Sequence, residues 1–207
     1  YEPIGRLHGL NQMLQSARAA GERVFDILDS AAEFPGAPVV PSSTERVRGD
    51  VEYDDVTFAY VTGRPVLEHI SFKAAPGQVI ALVGPTGAGK SSLVNLLPRF
   101  YRPESGRVLV DGHDIQTLDL AFLRRQIAVV SQEPFLFNGT LRENLLFGCP
   151  AASDAELDAA VRAANCDEFI RRLPDGFNSL VGERGVRLSV GEKQRVSIAR
   201  ALLKDSP

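Results

Sequence analysis

Gly84-Pro-Thr-Gly-Ala-Gly-Lys90-Ser91 lies between a short apolar run, Val79–Val83, and a segment in which Leu93, Leu96 and Leu97 recur at helical spacing. The string fits G-x-x-x-x-G-K-[ST], and its flanks read as strand, loop and helix, the context that a phosphate loop requires. Glycines at these places let backbone amides wrap phosphate oxygens, and the following helix aims its positive end at the same anion. Lys90 is expected to reach the β- and γ-phosphates, and the Ser91 hydroxyl to hold Mg²⁺. The candidate nucleotide-phosphate-binding residues of this stretch are Gly84, Pro85, Thr86, Gly87, Ala88, Gly89, Lys90, Ser91 and Ser92. The strings D-x-x-G and N-K-x-D, which a guanine-nucleotide site would add, occur nowhere in the chain.

The chain around this loop has 207 residues, of which 44% are hydrophobic and 24% charged. That is the composition of a globular chain able to bury one sizeable core, and it excludes disorder throughout. The 23 basic and 26 acidic residues sum to −3. No basic field exists to grip a nucleic-acid backbone, so no nucleic-acid partner is expected. Cys149 and Cys166 have neither metal-site nor redox-motif spacing and read as incidental thiols. No apolar run approaches the roughly 18 residues of a membrane span. The first residue is Tyr1 with no signal-peptide pattern, so a longer polypeptide is expected upstream.

Leu7, Leu10, Leu14, Ala17, Val24 and Leu28 draw one apolar stripe along an N-terminal helix, interrupted at Gly21. Such a helix either lies on its own domain or connects to a partner. Residues 31–45 contain Pro35, Gly36, Pro38 and Pro41 and read as a linker, which places a domain at 46–207. That domain opens with strands: Val56, Phe58 and Tyr60 alternate, and Val66 to Phe72 is β-rich. Further strands are expected at Val79–Val83, Gly106–Asp111 and Ile127–Ser131. Ser153 with Glu156 forms a capping box that opens a helical region from about 153 to 173. A last helix starts near Val190, with Val196, Ala199 and Leu203 on one face.

Near the C-terminus, Leu188-Ser189-Val190-Gly191-Glu192 precedes Lys193-Gln194-Arg195. A serine before a helix is commonly an N-cap; its hydroxyl and the free amides beside it can equally form a second anion site. Downstream of a phosphate loop, this stretch resembles the L-S-G-G-Q signature of the ATP-binding cassette (ABC) family. Val190 replaces the first glycine of the signature pair, and Glu192 stands where glutamine is commoner. A β-branched residue avoids positive φ, so ordinary backbone angles are expected at 190.

The resemblance extends across residues 46–207. Tyr60 resembles the family's adenine-stacking aromatic, an aromatic face being able to stack on any base. Gln132, in Val129-Val-Ser-Gln-Glu-Pro134, resembles the glutamine that reaches Mg²⁺ and the attacking water. Gln132 and Lys90 are thus the candidate catalytic residues, and Ser91 and Gln132 the candidate Mg²⁺ ligands. Leu188, Ser189, Val190, Gly191 and Glu192 are expected to contact the ATP of a partner domain. Val181-Gly-Glu-Arg-Gly185 resembles a stretch characteristic of exporters. Val108-Leu-Val-Asp111 imitates an apolar strand ending in a metal-binding aspartate, but Gly112 follows it and the reading is structural.

The fold implied is α/β: a P-loop NTPase of the ABC type. It would have an N-terminal antiparallel β subdomain, a parallel-sheet core and a helical subdomain at about 134–200, preceded by an amphipathic connecting helix at 1–30 that extends a transmembrane-domain helix. The function implied is ATP binding and hydrolysis in an exporter at the cytoplasmic face of a membrane, with ATP and Mg²⁺ as cofactors. Its partners would be transmembrane domains and a second nucleotide-binding domain, identical or not. The aspartate, the catalytic glutamate and the switch histidine of the family are expected beyond Pro207, since His8, His69 and His113 come too early; the fragment alone is expected to be inactive. The alternatives are a nucleotide-binding regulatory module that does not hydrolyse ATP and a soluble mechanical ABC ATPase.

Overall fold

The computed structural model describes residues 2–30, 46–182, 185 and 188–207. The expected linker at 31–45 and residues 183–184 of the exporter-like stretch lie outside them. The chain divides into two units, residues 1–37 and 38–207.

The first unit holds helix α1 (Glu2–Leu28), which runs through Gly21 without a break. Arg18 and Glu22, one turn apart, pair at 3.0 Å on its surface. Its stripe residues Leu10, Leu14, Val24 and Leu28 are all more than half exposed. No helix among the described residues is long and apolar enough to cross a membrane.

The second unit opens with the hairpin β1 (Val51–Val61) and β2 (Arg64–Ala74), closed by a two-residue turn in which Gly63 has φ +81°. β3 (Ser105–Val110) pairs antiparallel with β1, and β4 (His113–Asp114) pairs with β3, giving the order β2-β1-β3-β4. Gly106 must be glycine: at φ +74° a Cβ would lie 2.2 Å from the Asp55 carbonyl oxygen of β1. The inward face of the sheet carries Tyr53, Val56, Phe58 and Val108, which pack with Leu96, Ile115 and Leu123 into one core. Tyr53 stacks on Phe72 at 4.6 Å and donates its hydroxyl to the Leu93 carbonyl at 2.9 Å, which pins helix α2 (Lys90–Leu96) onto the sheet. Helix α3 (Leu120–Arg125) buries Phe122 and Leu123, the latter in the same core. Asp111 is a turn residue as read: its carboxylate accepts the Arg48 and Asp50 amides at 2.6 and 3.0 Å.

A second core is helical. It is built from α4 (Leu141–Leu146), α5 (Asp154–Ala163), α6 (Asp167–Arg172) and α7 (Val190–Lys204). Leu141, Leu145, Leu157, Phe169, Val196 and Ala199 fill it, each large side chain contributing roughly 1.5–3 kcal/mol on burial. Three of these helices begin with complete capping boxes, Thr140/Glu143, Ser153/Glu156 and Ser189/Glu192. The two cores are joined where Lys204 Nζ donates to the Arg124 and Ile127 carbonyls, both at 2.6 Å.

One expectation gains detail and two need correction. The helical region at 153–173 is two helices, because Asn165 takes φ +55° and turns the chain so that Cys166 and Phe169 reach the core. Val79–Val83 and Ile127–Ser131 form no strands: Val79 is 94% and Val83 88% exposed. Consequently the described residues contain an antiparallel sheet but no parallel-sheet core. A parallel strand is stable only when neighbours on its edges take up its amides and carbonyls, and no described strand does so for either segment.

Candidate nucleotide site

The phosphate loop leaves the exposed 79–83 segment, wraps residues 84–89 and enters α2 at Lys90. Gly89 is the tightest point. It is buried, has φ +83°, and a Cβ there would meet Leu67 Cδ2 at 2.7 Å and the Val66 carbonyl oxygen at 3.0 Å. Only glycine lets the loop press against β2 and still turn into the helix. Within the loop the Ala88 amide donates to the Pro85 carbonyl at 3.3 Å, and the Leu93 amide to the Gly89 carbonyl at 2.9 Å. The amides of Gly87, Gly89, Lys90, Ser91 and Ser92 donate to no backbone acceptor among the described residues. Lys90 bends back over the loop and donates to the Gly84 and Pro85 carbonyls at 2.8 and 2.7 Å. An ammonium group and a run of amides without backbone acceptors among the described residues thus belong to one loop, the kind of donor set that binds a polyphosphate.

Tyr60, near the end of β1, is 53% exposed. Its hydroxyl and the Ser92 Oγ are 2.9 Å apart, so the expected base platform and the phosphate-loop helix are directly bonded. Ser91 Oγ makes no hydrogen bond among the described residues and Ser91 is exposed. Gln132 lies exposed in an irregular segment and makes no hydrogen bond to the loop.

The signature stretch sits apart from the loop, at the start of α7. Ser189 is its N-cap, accepting the Glu192 amide on Oγ at 3.3 Å. The Glu192 carboxylate in return accepts the Ser189 amide and hydroxyl, both at 2.8 Å. Burial alone would raise the Glu192 carboxyl; the Ser189 hydrogen bonds, with Arg172 and Arg195 nearby, outweigh it and hold the carboxyl below its ordinary value. Val190 is the first helical residue with negative φ, as its branching requires. Ser189, Val190 and Gly191 are exposed and Glu192 partly so. Leu188, at 7% exposure, is anchored in the helical core.

Sequence reasoning missed two groups of residues. Phe58 and Tyr101 flank Tyr60, with ring centroids 4.8 and 5.1 Å away. Arg200 joins α7 to α4 and to the segment after Gln132, donating to the Asn144 carbonyl, the Asn144 Oδ1 and the Phe135 carbonyl, each at 2.6 Å. Periodicity offers no signal for either, because the partners come from distant segments.

The sequence profile of the ABC transporter family matches residues 67–207. The chain is 44% identical, over its whole length, to an ATP-dependent lipid A-core flippase of Syntrophus aciditrophicus, covering 34% of that protein. It is 46% identical to a fatty acid ABC transporter ATP-binding/permease protein of Mycobacterium bovis, over 97% of this chain and 31% of the relative. The structure of a bacterial Atm1-family ABC exporter with ATP bound superposes with a TM-score of 0.85 at 42% identity, covering 93% of this chain and 34% of that one. The chain spans about a third of the length of the curated relatives it matches. On the phosphate loop, the capped signature helix and these likenesses together, the chain belongs to the ABC transporter family.

Proposed function

We propose that this chain is the ATP-binding part of an exporter-type ABC transporter, and that the whole protein hydrolyses ATP to move a substrate across a membrane. The observation that carries the reading is the phosphate loop whose amides have no backbone acceptor among the described residues and whose Lys90 bends back onto the Gly84 and Pro85 carbonyls. Lys90 exchanges the Gly84 and Pro85 carbonyls for β- and γ-phosphate oxygens, while Tyr60 takes the adenine on its exposed ring. Residues 84–92 hold the phosphates between them. Gln132 orients the attacking water, which displaces ADP in line from the γ-phosphorus. We assign no general base among residues 1–207.

Ser91 Oγ and the Gln132 side-chain oxygen suit Mg²⁺, since both are hard oxygen donors and the Ser91 hydroxyl has no competing partner among the described residues. Bound there, the metal supplies neutralisation of phosphate charge. Ser189 and Gly191 receive the phosphate of a nucleotide held by a second nucleotide-binding domain, and the ATP-closed pair shifts the transmembrane domains between two states. Residues 1–30 extend a helix of those domains, residues 31–45 link it to the nucleotide domain at 46–207, whose helical subdomain spans about 134–200. The assembly works at the cytoplasmic face of a membrane.

Steady-state phosphate release by the intact protein tests this. Lys90→Ala should lower turnover on the order of 100-fold or more. Turnover unchanged in Lys90→Ala would remove the reading.

A further inference from the structure

We propose that Tyr101 is a positioning residue for the base of the bound nucleotide, acting through Tyr60; the proposal rests on the reading that Tyr60 stacks on adenine. An exposed tyrosine at a strand end ordinarily samples several rotamers, and freezing one on binding weakens affinity. Here Tyr60 is held at three places. The Phe58 ring meets it at 4.8 Å and 79°, the Tyr101 ring at 5.1 Å and 89°, and its hydroxyl is 2.9 Å from Ser92 Oγ. Near-perpendicular pairs of this kind are the favoured aromatic geometry. Tyr101 also contacts Phe58 at 5.5 Å, so the three rings form one closed cluster.

The contributors differ in what else they do. Phe58 is 2% exposed and belongs to the sheet core, and Ser92 is 5% exposed in α2. Tyr101 is 40% exposed, stands outside any helix or strand between α2 and β3, and its ring contacts are to Phe58 and Tyr60. It is therefore the member that can be removed without opening the core. Through it, the segment leaving the phosphate-loop helix fixes the base platform at the end of β1, so that base and phosphates meet a surface already set.

The test is equilibrium binding of ATP and of tripolyphosphate to the intact protein. Tyr101→Ala should weaken ATP about 3- to 10-fold and leave tripolyphosphate unchanged, and the conservative Tyr101→Phe should restore ATP affinity. Equal weakening of both ligands, or no rescue by phenylalanine, overturns the proposal. Tyr60→Ala separates the two levels. If it leaves the ratio of the two affinities unchanged, the base-stacking reading fails; if it changes the ratio and Tyr101→Ala does not, the positioning role alone fails. Should Tyr101→Ala not fold, as judged by its thermal transition, Tyr101→Leu keeps apolar bulk without a ring and should show the same selective loss of ATP; unaltered ATP binding in that variant overturns the proposal.

Discussion

Arg200 offers the sharpest test of how the helical core is held together. Its guanidinium donates three hydrogen bonds of 2.6 Å, two to Asn144 and one to the Phe135 carbonyl. Asn144 is 1% exposed and uses its remaining capacity on the Phe137 amide and carbonyl and the Thr140 carbonyl. Arg200→Leu keeps much of the aliphatic stem and removes all three donors. The two partly buried bonds contribute about 1–1.5 kcal/mol each and the exposed one about 0.5. Burial lowers the pKa of Arg200, so the guanidinium gives up solvation in the native state, and its removal returns part of that loss. The net destabilisation is then about 2–3 kcal/mol, which for a chain of this size lowers Tm by roughly 5–10 °C. Thermal unfolding followed by far-ultraviolet circular dichroism measures it. A shift under about 1 °C would mean that the Arg200 bonds add nothing to the hold on α7, which apolar packing and Lys204 then supply, and that the reasoning from the network is wrong.

Two other outcomes follow from the same geometry. Glu143, Glu156 and Glu192 all have carboxyls held below the ordinary value of 4.5, Glu143 and Glu156 by their capping bonds to Thr140 and Ser153, and Glu192 by its bonds to Ser189 against the opposing effect of burial. Because the folded values are depressed, their stabilisation is complete above about pH 4.5 and disappears as pH falls through the folded values. Urea midpoints should therefore fall below that pH, and a Glu143→Gln, Glu156→Gln, Glu192→Gln variant should show a flatter acid limb; parallel profiles would contradict this. Cys166 is fully buried and burial pushes its thiol up to about 11, whereas Cys149 is partly accessible. A disulfide-exchange reagent under native conditions should titrate Cys149 and spare Cys166 until urea is added.

Much of this protein is written locally. The phosphate loop is legible because a run of eight residues must combine glycine freedom, a lysine and a hydroxyl in fixed order, and each is needed at its own place. The starts of α5 and α7 are equally legible, since a capping box closes within four residues and needs no distant partner. The hairpin β1–β2 follows from alternation and one glycine turn. What tertiary structure alone decided depends on partners far away in the chain. Val79–Val83 has the composition of a strand yet is exposed coil, because strand identity is conferred by neighbours that accept its hydrogen bonds. Leu188 precedes the signature serine, and packing alone decides that it joins the helical core. The Tyr60–Ser92 bond spans 32 positions and the Arg200 bonds span 56 and 65. No pattern of period 2 or 3.6 can announce contacts at those separations, since they arise only when folded elements bring their surfaces together.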